Sequence, residues 1–364
     1  MITELSFANK LLQVAKGLAT YVVPTDWYMS RAGRGGSTND AGYCYCVWLR
    51  HLRSLEKFGW NPVRKKICEL GPGNSIGIGI AALLSGAESY TGLDAVPYST
   101  VEQREQITKI INDLTGLFQK RVPIPEPEQY PQIVPQLEDY SFPPWILAEV
   151  DSLANLAATK TSLIEGLDCP ERNPCLKYLA PYQHIDLSGY SGSFDAIFSQ
   201  AVFEHIGNPA QTYNLIFDLL KPGGLSWHVI DFRSHGLSAD WNGHWTYPEW
   251  LWSLVVGHRQ FLLNRIPLSA HLALAAQAGF EVEGVMTYAE GEHQTLAKKS
   301  RLNPTQFAKP FNRMSKEDAS TVSGMIFLKK PAAEGWQKAK LKPPIVVSIS
   351  PVSSTREKCI SDLT

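Results

Sequence analysis

One short stretch constrains this chain more than any other. Glu69-Leu70-Gly71-Pro72-Gly73-Asn74-Ser75 joins an apolar run, Ile67 to Leu70, to a longer one, Ser75 to Leu84. The first reads as a strand and the second as a helix. Glycines between them permit a sharp turn and let the backbone approach a ligand where a Cβ would collide. A second strand, Ser89 to Leu93, follows and ends at Asp94. Strand, turn, helix and strand open a doubly wound parallel sheet. A carboxylate at the end of its second strand can accept two hydrogen bonds from ribose hydroxyls, so the pattern predicts a nucleoside site.

The nucleoside is not a dinucleotide. That fingerprint needs glycines at relative positions one, three and six, and the sixth here is Ile76. Glu69, just ahead of the turn, would repel a pyrophosphate and welcome a cation. S-adenosylmethionine carries two cationic groups, an ammonium and a sulfonium.

Around this unit the chain divides into three parts. Residues 1–60 read as a helical preface, with helices over Ala8 to Ala19 and Tyr43 to Phe58, a glycine-rich break at Arg31 to Gly42, and Gly59 as a helix-ending glycine. Residues 61–330 carry the α/β pattern. Within them, residues 100–180 read as an insertion, with helices over Val101 to Phe118 and Trp145 to Leu156 around a proline-rich stretch. The insertion is expected to cap the ligand cleft. Later strands fall at Asp195 to Phe198, Leu225 to Ile230, Phe280 to Val285 and Ser323 to Leu328. A helix over Pro209 to Leu220 has Asn208 as its N-cap. Another spans Ser269 to Ala278. Residues 331–364 lack helical periodicity and read as a loose tail.

The chain resembles the class I S-adenosylmethionine-dependent methyltransferases over about residues 60–330. Five blocks in order carry the resemblance: Glu69 to Gly77, Asp94, Asp186-Leu187, Phe194 to Ala201, and Leu220 to Gly224. It implies an α/β fold, a Rossmann-like seven-stranded sheet with helices on both faces and a reversed final strand. It also implies S-adenosyl-L-methionine as cofactor. Glu69, Gly71 and Gly73 then form the first motif, Asp94 binds ribose, Asp186 and Leu187 read adenine, and the backbone near Gln200 and Ala201 approaches the methionine portion.

Methyl transfer is an in-line displacement that needs alignment and exclusion of water, and a hydroxyl acceptor also needs a base. His205, a few residues beyond the fourth strand in Phe203-Glu204-His205-Ile206, is the first candidate; the alternative is a histidine that only shapes the pocket. Asp231 and His235 are acceptor-site candidates at the end of the fifth strand. His228 reads as a buried core histidine. The tryptophans Trp241, Trp245, Trp250 and Trp252 read mostly as core or lid. Six of the nine histidines fall between His184 and His258, yet no pair has zinc-helix spacing, so no metal is expected.

Composition narrows the partners. Lys and Arg total 34 against 35 Asp and Glu, a net charge of −1, which argues against a broad nucleic-acid surface. No apolar run is long enough to span a membrane, and no signal peptide is expected. The cysteines, Cys44, Cys46, Cys68, Cys169, Cys175 and Cys359, read as reduced thiols of a cytoplasmic protein. The expectation is a methyltransferase for a small-molecule acceptor, with oxygen on a sugar or secondary metabolite as the target. A binding protein that has lost catalysis on the same fold is the alternative. A nicotinamide oxidoreductase is disfavoured by Ile76, and a base-methylating enzyme by Ser199-Gln200-Ala201-Val202 after the fourth strand.

Overall fold

The computed structural model describes residues 4–22, 37–98, 103–148, 152–168, 173–289 and 301–332. Two helices, α1 (Glu4–Ala19) and α2 (Ala41–Leu55), precede β1 (Lys66–Leu70), α3 (Gly77–Leu84) and β2 (Ser89–Leu93). Then come α4 (Arg104–Gln119), α5 (Ser152–Gly166), β3 (Leu176–Leu179) and β4 (Phe194–Gln200). The remainder is α6 (Pro209–Leu219), β5 (Leu220–Asp231), α7 (Glu249–Val256), α8 (Leu268–Gln277), β6 (Glu281–Ala289), α9 (Lys316–Ser320) and β7 (Thr321–Lys329).

The strands form one seven-stranded sheet in the order β3-β2-β1-β4-β5-β7-β6. β7 runs antiparallel to both its neighbours, and the other paired strands are parallel. This is the expected Rossmann-like sheet with its reversed final strand.

Strand side chains alternate between two covered faces, so neighbouring residues enter different cores. Ile67, Phe198 and Trp227 join α2, α3 and α4 on one face. Cys68, Ile197 and Ile230 join α6 and α8 on the other. α2 belongs to that first core, with Trp48, Leu49 and Leu52 fully buried. Residues 41–58 are therefore a layer of the α/β unit and not a preface to it. Asp40 caps α2 through the N–H groups of Gly42 and Tyr43, and Gly59 ends the following turn at φ 65°.

α3 lies so close to β2 that Gly79 has no room for a side chain. A Cβ there would stand 2.3 Å from the Tyr90 ring. Gly79→Ala is therefore expected to destabilise the protein by about 1–3 kcal/mol, the usual cost of overpacking, partly offset by alanine's helix propensity. A thermal melt no lower than that of the wild type would contradict this packing.

The described residues of the insertion do not line the ligand cleft. Its prolines carry no N–H, so the stretch has more carbonyls than donors and offers some of them outward. α2 supplies the donors. Arg50, fully buried, donates from Nη1 to the carbonyls of Ile133 (2.6 Å) and Pro135 (3.4 Å), and from Nη2 to that of Pro125 (2.8 Å). The Tyr45 hydroxyl donates to the Val122 carbonyl. The described residues of the insertion thus buttress α2 from behind, and none of them lines the cavity described below.

The expected helix over Trp145 to Leu156 is also displaced. Residues 144–147 form a turn in which Trp145 donates to Glu56 Oε1 (2.9 Å) and Leu147 is left-handed at φ 56°; α5 begins only at Ser152. Lys221 to Gly224 forms the irregular start of β5, with Gly223 at φ 78°. The tail reading falls at residues 333–364 outside the described residues. Among the described residues no helix is long and apolar enough to cross a membrane.

Candidate active site

A cavity of about 900 Å³ opens at the C-terminal ends of β1, β2 and β4, the crevice where open α/β sheets bind ligands. Glu69, Gly71, Gly73, Asp94, Leu187, Gln200, Ala201 and His205 all line it. Of the expected site residues, Asp186, Asp231 and His235 do not.

The glycine turn forms the floor. Gly71 and Gly73 are left-handed, at φ 69° and 75°, a region that side-chain-bearing residues rarely adopt. A Cβ on Gly71 would stand 2.7 Å from Val202 Cγ2. The Asp94 carboxylate accepts from the N–H of Gly73 (3.0 Å) and of Val96 (3.2 Å). The acid thus fixes the loop as well as facing the cavity. Thr38 Oγ1 accepts from the Ser75 N–H (2.9 Å), and the Ser75 hydroxyl donates to the Thr38 carbonyl. Thr38 and Tyr43 add a wall that the sequence reading assigned to the glycine-rich break and to a helix.

Glu69, next to last in β1, is 1% exposed. Its Oε2 accepts from the Tyr90 hydroxyl at 2.5 Å. Burial pushes its pKa up to about 8; the Tyr90 hydrogen bond works against this and the Asp94 charge adds to it. A carboxylate this costly to ionise is stabilised by any cation that enters the cavity.

Gln200 is oriented from behind. Trp227 Nε1 donates to His51 Nδ1 (3.1 Å), which leaves the His51 Nε2–H to donate to Gln200 Oε1 (2.8 Å). Burial lowers the His51 pKa to about 4, outweighing the Gln200 hydrogen bond, so the ring is neutral and carries one donor. The amide oxygen of Gln200 is therefore taken, and its NH₂ is the group left for the cavity. Ala201, at φ 53°, bends the chain away from β4 while its N–H donates to the Val229 carbonyl (2.9 Å).

His205 closes a short 3₁₀ turn, Phe203–His205. Asn264 clamps that turn: its Nδ2 donates to the carbonyls of Phe203 (2.6 Å) and Ile206 (2.9 Å), and its N–H donates to that of Glu204 (2.7 Å). His205 Nδ1 has no hydrogen-bond partner. Burial lowers its pKa to about 4, with the His235 ring adding to this and a backbone contact to Phe261 opposing it. Residues 259–262, which the sequence reading passed over, complete the wall.

Asp186 is exposed, and its Oδ1 accepts from the Ser188 N–H (2.9 Å). It stands at the rim, where its side chain closes a local turn, while Leu187 reaches the wall. Asp231 and His235 stand behind His205. Asp231 accepts from Arg233 Nε (2.8 and 2.9 Å) and meets His235 Nε2 at 3.2 Å; these partners overcome burial and hold its pKa well below the usual carboxylate range. The His235 and His205 rings meet edge to face at 5.2 Å. His228 is a core residue, with Nδ1 and Nε2 against the hydroxyls of Ser199 (2.9 Å) and Ser226 (2.7 Å). Trp241 and Trp245 are fully buried, whereas Trp250 is exposed.

A sequence profile described as a methyltransferase domain matches residues 47–285. No functionally curated protein matches the chain. Among solved structures, an S-adenosylmethionine-dependent methyltransferase from Mesorhizobium loti is 13% identical, with a TM-score of 0.38 over 77% of this chain and 97% of that one. The phosphoethanolamine N-methyltransferase 2 of Haemonchus contortus, solved with S-adenosyl-L-methionine, is 17% identical, with a TM-score of 0.37 over 78% of this chain and 53% of that one.

Proposed function

Because the chain belongs to the methyltransferase-domain family and uses S-adenosylmethionine, we propose that it methylates an oxygen atom of a small molecule, with His205 as the base. The observation that carries this reading is the His205 imidazole on the cavity wall. Asp231 and His235 stand behind it as supports. The catalytic unit in this reading runs from α2 to β7, in the cytoplasm, with no nucleic-acid partner.

The cofactor fits the residues on two counts. Gly71 and Gly73 bring left-handed backbone without side chains to the cavity wall, and Glu69 is a buried acid on the same wall. When bound, S-adenosylmethionine supplies an electrophilic methyl group on sulfur. Glu69 would accept its cationic end, Asp94 the ribose hydroxyls, and the Gln200 NH₂ a carboxylate or carbonyl oxygen. Leu187 would present its backbone N–H and an apolar edge to the adenine. His205 would take the proton of the acceptor hydroxyl as the oxygen–carbon bond forms and the carbon–sulfur bond breaks.

Incubation with methyl-labelled cofactor and a panel of hydroxylated small molecules, with matched amines, tests the reading. Label on hydroxyl oxygen is the expected result; label confined to amines overturns the oxygen assignment. The pH dependence is a further expectation. A base must be neutral, and burial depresses the His205 pKa to about 4. Saturated turnover should therefore stay level from about pH 8 down to about pH 5 and fall only below that, in contrast to a solvated histidine titrating near 6.5. An acidic limb centred near 6.5 would take the base role from His205.

A further inference from the structure

Behind the His205 wall, outside the cavity, three side chains from two segments converge. Glu204, Asp231 and His235 each bring one ligand atom within 4.8 Å of the others. Glu204 is 1% exposed, and neither of its carboxylate oxygens has a hydrogen-bond partner. The backbone N–H groups of Glu204 and Asp231 lie near it and offset only part of the burial. A buried carboxylate needs a proton or a cation to be tolerated. Arg233 does not supply that cation, because its guanidinium is committed to Asp231. One arginine thus faces two acids, and one negative charge is left over.

His235 adds a third donor of a different kind. It holds a left-handed backbone, φ 48°, a conformation that costs energy in a residue other than glycine and recurs at ligand sites. Its Nε2 meets Asp231, and it is the member of the trio that solvent reaches. Two carboxylate oxygens and one imidazole nitrogen suit manganese, iron or zinc better than the all-oxygen shells of calcium and magnesium.

We propose that Glu204, Asp231 and His235 form a binding site for one divalent transition-metal ion, directly behind His205. Three protein donors leave coordination positions for water. On binding, His235 Nε2 gives up its contact with Asp231 for the metal, and Arg233 keeps the remaining oxygen of Asp231 in place. The site stands on its own donors and does not rest on the oxygen-methylation reading.

The test uses the full chain stripped with a chelator and titrated calorimetrically with Mn²⁺ and with Zn²⁺, alongside thermal melts with and without metal. One ion per chain is expected, together with a metal-dependent rise in melting temperature. Glu204→Gln and His235→Ala should each weaken binding at least tenfold and lose that rise; circular dichroism of each variant checks that it is folded. If Glu204 is simply protonated, the wild type binds neither ion and Glu204→Gln melts no lower than the wild type. That result overturns the site, as does equal metal affinity in the wild type and both folded variants. Neither readout involves methyl transfer, so failure here leaves the proposed reaction untouched, and failure of the reaction leaves the metal site untouched.

Discussion

Replacing His205 with alanine is expected to lower saturated turnover by roughly 10²–10⁴, the usual worth of a general base, while cofactor affinity changes little. The reason is positional. His205 lines the cavity from the turn beyond β4, whereas the cofactor contacts assigned above lie on the turns after β1, β2 and β4. A histidine that only shapes the pocket predicts the reverse: weaker cofactor binding or a lower melting temperature, with turnover per loaded enzyme nearly intact. Melting temperature, cofactor affinity and saturated turnover on the one variant separate the two. A loss under about tenfold, well below the general-base range, would retire the assignment.

Asp94→Ala should weaken S-adenosylmethionine binding by about 3 kcal/mol, roughly 10²-fold, on the scale of two hydrogen bonds to a charged acceptor. The structure adds a second route to the same loss. Asp94 also holds the N–H groups of Gly73 and Val96, so its removal frees the glycine turn that shapes the floor. Asp94→Asn keeps one carbonyl acceptor and should lose less. Calorimetry with unchanged affinity in the alanine variant would refute the ribose assignment.

What the sequence displayed was local. The turn from Glu69 to Ser75 and the acid at Asp94 were legible because a few adjacent residues set both the backbone conformation and the ligand contact. The short apolar runs likewise displayed the strands. What it hid was long-range. His51 orients Gln200 from 149 residues away, Asn264 clamps the His205 turn from another loop, and Glu204 meets Asp231 only because β4 and β5 pair side by side. Spacing rules for metal sites see i, i+4 neighbours on one helix and miss donors gathered across a sheet. Asp186 lies outside the cavity lining for a different reason. An aspartate two residues before a free backbone N–H closes its own turn, and that local bond keeps the carboxylate at the rim. The insertion was misread because proline content marks a loop without saying which surface its carbonyls will seek.

That last point carries a consequence for how the chain can change over evolutionary time. Helix α2 recognises the insertion through main-chain oxygens at Val122, Pro125, Ile133 and Pro135, not through side chains at those four positions. These contacts ask only for the path of the backbone, while packing separately constrains the side chain of Ile133, which is buried in the core. A further selective burden falls on Arg50, whose planar fork reaches three carbonyls at once. A lysine offers a single ammonium at the end of a flexible stem and cannot span them. The proline-rich stretch is thereby held in place by a few side chains of one adjoining helix, and the two segments can diverge only together.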